Sequence, residues 1–270
     1  MNARGRTAKV LTSRYTGSGT GLRRGPDELI VEEPLEIRLD GVLVTTTMRT
    51  PGNDFELAAG FCFTEGLLAG AAVQTCRYCA TASAVGTAFN VVSVDTAGRA
   101  PVPTPRLGAT TSSCGLCGST SIDQLAERLR PLAEPQGFAL DVLASVPDRA
   151  RAAQPLFEAT GAVHAAAAFD RAGEVVHVRE DVGRHNAVDK VVGRLLLDGV
   201  LPASGYGLYV SGRASFEIVQ KAWAAGFPAV VAVSAPSSLA VETAHRANIL
   251  LAGFARDGRI NLYSGADRAA

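Results

Sequence analysis

The sequence predicts an α/β protein with a layered C-terminal domain and a smaller α+β N-terminal domain. Three observations predict it. From Ala162 onward short apolar strands alternate with amphipathic helices, the signature of a layered sheet with parallel crossovers. Residues 27–50 instead read as two strands around Asp40-Gly41, a hairpin signal, followed by a helix. Composition fits a folded chain: 270 residues, 47% hydrophobic and 19% charged, long enough to bury one large core or two moderate ones.

Charge and hydropathy exclude several classes. The 26 basic and 26 acidic residues balance, so no whole-molecule field draws the chain to nucleic acid or a membrane surface. No apolar run reaches the roughly 18 residues that span a bilayer. Residues 1–26 lack the apolar core of a secretory signal and read as a disordered basic tail. Five cysteines, an odd number, without an export signal point to reduced thiols in the cytoplasm.

In chain order, Leu35, Ile37 and Leu39 alternate with polar residues, and Val42 and Val44 continue beyond the turn. Asn53 with Glu56 is the cap expected for a helix whose apolar stripe includes Leu57, Ala58, Phe61 and Cys62, which makes Cys62 a small core residue. Val91, Val92 and Val94 mark a strand just after the Cys76/Cys79 pair. Pro101, Pro103 and Pro105 form an extended connector. The N-terminal domain is expected over 27–130 and the C-terminal domain over 131–270. The latter opens with a proline-punctuated helical bridge. It continues as a hairpin (AVHAAAAFD, VVHVRE), a helix stopped by Gly199, then strands and helices in alternation, and a last short strand.

Chemistry concentrates at Cys114-Gly115-Leu116-Cys117-Gly118. Two thiols with a glycine after each precede a helix whose Ser121 and Gln124 make a capping box. The positive end of a helix favours thiolate over thiol, and glycines give the loop conformational freedom. Redox exchange, metal binding and sulfur transfer are all open to such a pair. Cys76/Cys79 with Cys114/Cys117 would supply four thiolates for zinc, but 34 residues separate the pairs, against roughly 15–20 in a zinc ribbon. A thioredoxin-type disulfide has its helix here but not the buried strand before it.

Polar residues gather at three strand ends. REDVGRHNAVDK brings Asp181, Arg184, His185, Asn186, Asp189 and Lys190 to a strand–turn–helix junction suited to an anion, or else to a polar surface turn. SGRASFE places Ser211 and Arg213 before a helix capped by Ser215. In Phe254-Ala255-Arg256-Asp257-Gly258-Arg259 the arginines could clamp phosphates, or Asp257-Gly258 could simply turn a hairpin. Ligands of α/β sheets gather at the carboxyl ends of strands, so the three blocks are expected to share one pocket. Zinc nucleoside deaminases carry H-x-E and P-C-x-x-C at two successive helix starts. The corresponding starts here keep a histidine but lack the glutamate and both cysteines, which argues against hydrolytic zinc chemistry and is an analogy of fold only.

EEPLEIRLDG, RTPGNDFELAAGF, SSCGLCG, GAVHAAA, EDVGRHNAVDKVVG, SGRASFEIVQKA and LAVETAHRANILLAGFARDGRINLYSG follow one another from about Glu32 to Gly265. In this ordered set the sequence resembles the formate dehydrogenase accessory sulfurtransferase (FdhD) family. The resemblance implies a C-terminal cytidine-deaminase-like three-layer domain lacking the zinc ligands, and a homodimer. It implies a cysteine desulfurase as sulfur donor, with Cys114 holding a persulfide and Cys117 assisting. The bound client would be the molybdenum bis(molybdopterin guanine dinucleotide) cofactor, destined for formate dehydrogenase, with Phe254 to Arg259 as the segment that binds it. No structural metal is expected, and Cys76 and Cys79 match no core motif of the family. A non-catalytic cofactor-binding chaperone and a thiol–disulfide oxidoreductase are the rival readings.

Overall fold

The structure, a computed structural model, describes residues 5–15, 17, 21–79, 90–103, 129–133 and 137–269. Cys114, Cys117, the capping box and most of the expected helix after it lie outside these residues, as does Pro105 in the connector.

A four-stranded sheet forms the N-terminal half. Strands β3 (Glu33–Leu39) and β4 (Val42–Arg49) are antiparallel and turn at Asp40-Gly41. Both turn residues have positive φ, 47° and 85°, as a two-residue hairpin loop of the twist-compatible type requires. β6 (Val91–Asp95) runs parallel to β3, and β5 (Thr75–Tyr78) pairs with its far edge, giving the order β4-β3-β6-β5. Helix α1 (Asp54–Thr64) packs Leu57, Ala58, Phe61 and Cys62 onto Leu35, Ile37, Val92 and Val94 of this sheet. Cys62 is wholly buried, and burial pushes its thiol pKa up. Asn53 does stand at the helix start, but in the left-handed region and without a side-chain capping bond.

The expectation of a disordered tail is corrected. Strands β1 (Thr7–Tyr15) and β2 (Leu22–Ile30) pair antiparallel along nine residues each. Cross-strand contacts hold this ribbon: Thr7 Oγ1 donates to Glu28 at 2.5 Å, and Arg14 pairs with Asp27 at 3.0 Å. The basic composition hid it because its apolar residues are spread over both faces.

The C-terminal half is a six-stranded mixed sheet in the order β12-β11-β10-β9-β7-β8. β7 (His164–Phe169) and β8 (Val175–Asp181) form the expected hairpin. β9 (Gly207–Val210), β10 (Ala229–Ala232) and β11 (Leu250–Arg256) are parallel, and β12 (Arg259–Ser264) returns antiparallel on β11. Helices α4 (Arg184–Leu197), α5 (Phe216–Ala225) and α6 (Ser238–Ala247) cover one face, with Leu208, Val210, Val230 and Leu251 beneath them. On the other face, α2 (Leu140–Ala152) packs Leu143, Val146 and Ala150 onto Ala167, Tyr209, Val231 and Leu250. Alternate residues of each central strand thus serve opposite cores, as the period of two requires. The short helix α3 (Pro155–Thr160) follows α2.

The two halves meet along α1 and α4. Gly60 and Gly193 let the helix backbones touch: a Cβ on Gly60 would lie 1.9 Å from the Asp189 carbonyl oxygen, and one on Gly193 would lie 1.8 Å from that of Glu56. Buried charge pins the seam. Lys221 Nζ, from α5, reaches Asp189 at 2.9 Å, Glu65 at 3.0 Å and Thr64 at 2.9 Å. Lys190 Nζ, in α4, lies 2.7 Å from Asp181 and donates to the Thr50 carbonyl at 3.0 Å. Burial opposes the charge on both lysines. Asp189 and Glu65 outweigh it at Lys221 and raise its pKa, whereas Asp181, with Asp54 helping and Arg6 opposing, does not at Lys190, whose pKa falls.

Candidate functional site

A cavity of about 460 Å³ opens at the carboxyl ends of β9, β10 and β11. Four strand ends and two helices build it. Ser211 and Val233 stand immediately after β9 and β10, Ala255 and Arg256 close β11, and His164 opens the neighbouring antiparallel β7. Pro147, Asp148 and Arg151 of α2 form the opposite wall with Gln154 and with Phe157 of α3.

Hydrogen bonds fix part of the polar wall. Ser211 Oγ accepts the Ala165 N–H at 2.8 Å, which leaves its own hydroxyl proton to donate elsewhere. Glu180, on β8, accepts the N–H groups of Leu156 and Phe157 at 3.0 and 2.8 Å, so its carboxylate fixes the start of α3 beside Gln154. Gln154 is only 3% exposed, and its Nε2 finds no hydrogen-bond partner among the described residues. An unpaired buried amide costs on the order of 1–3 kcal/mol, which an acceptor on a ligand would relieve. Burial raises the pKa of Tyr209 beside it. His164 is held below the ordinary histidine range by burial, then by Arg184 and His185 nearby.

Arg256 and Asp257 also line a second hollow of about 400 Å³, with Phe254, Arg259 and Asn261. The two hollows therefore adjoin at one turn. Asp257 and Gly258 both have positive φ, 52° and 68°, and Arg256 pairs with Arg259 across the strands, so the segment is a hairpin turn. It is also cavity wall, and the two readings of this block prove compatible. An irregularity between Gly253 and Arg256 puts Phe254 at φ 51° and leaves its ring 39% exposed on the rim. A bulky residue in that region is strained, a feature that clusters at ligand sites.

The expected single pocket is assembled in part. Ser211, Ala255, Arg256 and Asp257 line the larger cavity, and Phe254 and Arg259 the adjoining hollow. Arg184, His185, Arg213 and Gly258 are not among the lining residues of either. His185 Nε2 instead lies 2.5 Å from Glu217 at the start of α5. Thus a carboxylate does meet the histidine, delivered by the next helix. Four of the six polar residues at the α4 junction are seam residues. Asp181 accepts from Thr50 N and Lys190, Asn186 donates to the Met48 carbonyl at 2.8 Å, and Asp189 serves Lys221. Sequence reasoning missed Gln154, Arg151, Asp148 and Tyr209, and it quoted His164 only within a motif.

The cysteines that can be seen do not act as a pair. The β5–β6 ladder runs from Thr75 to Tyr78 and extends through the Cys79 N–H to the Val91 carbonyl. Residues three apart on an extended strand point to opposite faces. Cys76 turns inward, where burial pushes its thiol up to about 11, and Cys79 turns the other way. Their separation along the strand, on the order of 10 Å, exceeds the reach of a disulfide.

A family model described as "FdhD/NarQ family" matches residues 30–270. The chain belongs to the FdhD/NarQ family. A relative from Streptomyces coelicolor, named "Sulfur carrier protein FdhD", is 53% identical over 91% of this chain and 90% of its own. One of the same name from Nocardia farcinica is 49% identical, covering 97% and 94%. A chain from Desulfotalea psychrophila, solved as a candidate formate dehydrogenase accessory protein, superposes with a TM-score of 0.75 at 24% identity. It covers 98% of this chain and 100% of its own, which establishes a shared mixed α/β fold. No helix among the described residues is long and apolar enough to cross a membrane.

Proposed function

We propose that this FdhD/NarQ chain is a sulfur carrier serving formate dehydrogenase. In this reading Cys114 takes persulfide sulfur from a cysteine desulfurase, with Cys117 assisting. The C-terminal domain, which we read as deaminase-like, holds the molybdenum bis(molybdopterin guanine dinucleotide) that receives the sulfur. The molecule works in the cytoplasm as a homodimer.

One observation carries the binding half: two adjoining hollows at the carboxyl ends of parallel strands, with Arg256 and Asp257 common to both. Arginines supply planar, charge-assisted donors for a pyrophosphate. Phe254 offers an exposed ring for a base to stack on. Asp148 and Asp257 offer carboxylates, the acceptors needed by the N–H groups on the edge of guanine. The relatives' name supports the sulfur half.

The thiol chemistry balances without a metal held by the protein. The outer sulfur of a Cys114 persulfide is passed to the acceptor, and Cys117 thiolate attacks the inner sulfur. The S–S bond within the persulfide breaks as the Cys114–Cys117 disulfide forms, and the transferred sulfur leaves at the sulfide level. Two experiments test the two halves separately. Intact mass after treatment with desulfurase and cysteine should gain sulfur in the wild type and not in Cys114→Ala; a Cys114→Ala protein that still loads and restores formate dehydrogenase refutes the carrier role. Calorimetry should show guanosine diphosphate binding in preference to adenosine diphosphate, and equal binding of the two refutes the guanine reading. If alkylated protein keeps its full effect on formate dehydrogenase, the chaperone reading replaces this one.

A further inference from the structure

We propose that the β1–β2 ribbon is a docking arm for a protein partner that offers an extended strand carrying acidic and apolar residues. Three features of the ribbon carry this. Among the described residues, neither outer edge of the two-stranded sheet pairs with another strand. A lone two-stranded hairpin is marginal in water and gains from a third strand. The edges are not equivalent: β2 packs against α3 and carries Pro26, which has no N–H, so β1 is the edge open to strand addition.

Side chains define what that strand must be. Leu11 is 76% exposed, and Tyr15 and Leu22 are 69% exposed. By register Leu11 faces Pro26 and Tyr15 faces Leu22, so all four share one face, as two apolar patches with Ser13 and Arg24 between them. Lys9, Arg14, Arg23 and Arg24 outnumber Asp27 and Glu28, and Arg14 stands directly across from Arg23. Asp27 already meets Arg14, so Arg23 and Arg24 are the cations left for anionic groups on a partner. A second copy would bring the same excess of cations, so this arm selects against its own kind and for carboxylates. A lipid surface would leave the open ladder edge unpaired, which favours a protein.

The arm's position gives the docking a use. Arg6, just before β1, donates to the Glu180 carbonyl, and the Glu180 side chain caps α3, whose Phe157 lines the large cavity. A partner seated on the ribbon would therefore sit beside the cavity wall. The inference does not depend on what the cavity holds.

The test uses the full-length protein and a fluorescent peptide of alternating valine and glutamate, with its valine–lysine counterpart as control. Anisotropy should show the acidic peptide binding and the lysine peptide failing. Leu11→Ser/Tyr15→Ser and Arg23→Glu/Arg24→Glu should each weaken binding about tenfold, or roughly 1.4 kcal/mol. The charge-reversed protein should in turn prefer the lysine peptide, a rescue that a merely misfolded arm cannot give. Calorimetry of guanosine diphosphate on the same variants should be unchanged, which separates failure of the arm from failure of the cavity reading. The inference is overturned if the acidic peptide does not bind or if the variants bind it as well as wild type. It is equally overturned if sedimentation shows arm-dependent self-association in place of peptide binding, or if the arm prefers phosphatidylglycerol vesicles to the peptide.

Discussion

Two sets of charges that look alike in the sequence have opposite fates in the structure. Along the α1–α4 seam, Lys190, Lys221, Asp181 and Asp189 are all but inaccessible and pair with one another or with backbone. Around the cavities, Arg151, Arg256 and Asp257 stand at the wall of an open space. The first set holds two sheets together, and the second borders space that a ligand can fill. Burial with a partner, not residue type, separates architecture from chemistry here.

Lys221 puts the strongest strain on that distinction. Lys221→Met would strip Asp189 and Glu65 of their shared cation and leave two carboxylates buried. Breaking such a cluster costs about 3–5 kcal/mol, so urea titration should show a large drop in midpoint with little change in slope. The pH dependence has a definite sign. A lysine with a raised folded pKa stabilises at every pH below its unfolded value, about 10.4, and loses that contribution only as pH climbs through the raised value. The gap between wild type and variant should therefore hold across neutral pH and narrow in strong base, and also in acid as Asp189, whose pKa burial raises, takes up a proton. A variant as stable as wild type would mean the seam is not held by charge.

The glycines of the same seam come next. Gly193→Ala places a methyl against the Glu56 carbonyl, where nothing but backbone can yield. The expected cost is about 1–3 kcal/mol, the range for overpacking a close contact, measured as a lowered melting temperature. A neutral result would show that the two helices can separate freely.

Arg256→Ala, by contrast, should leave the melting temperature alone and weaken guanosine diphosphate binding by about tenfold, or roughly 1.4 kcal/mol. The residue lies at a turn between two exposed strand ends, so little packing is lost with it. If stability falls and binding does not, Arg256 belongs with the seam and the comparison fails.

What the sequence revealed follows the same division. Local signals were sufficient where local chemistry decides: Asp40-Gly41 turned a hairpin, strand and helix alternated through the C-terminal half, and the turn from Arg256 to Arg259 joined the cavity wall. They were insufficient where a distant segment decides. Asp181, Asn186, Asp189 and Lys190 have the composition of an anion site, and only the arrival of α1 and Thr50 makes them seam residues. Gln154 was invisible because its meaning lies in a missing partner, which no spacing encodes. The N-terminal ribbon was hidden because its strands carry arginines and no continuous apolar face, so cross-strand pairing had to be seen to be believed.

His164 offers the smallest and sharpest test, because it stands between the two sets. It lines the cavity, yet its proton affinity is set by burial first and then by Arg184 and His185, with Asp181 pulling the other way. Its folded pKa lies below the ordinary value of about 6.5, so the ring is neutral at pH 7. The stability this contributes is present above that value and is lost as pH falls toward the lowered folded one. A bound anion would add negative charge beside the ring and favour its protonated form. The His164 resonance, followed by NMR through a pH titration, should therefore move to a higher midpoint when guanosine diphosphate is added, while His177, which does not line the cavity, should not move. Linkage then requires the nucleotide to bind more tightly as pH falls through the His164 titration, and His164→Gln should remove that part of the dependence. An unmoved His164 midpoint in the presence of bound nucleotide would place the phosphates elsewhere, and would return the cavity wall to the architectural set.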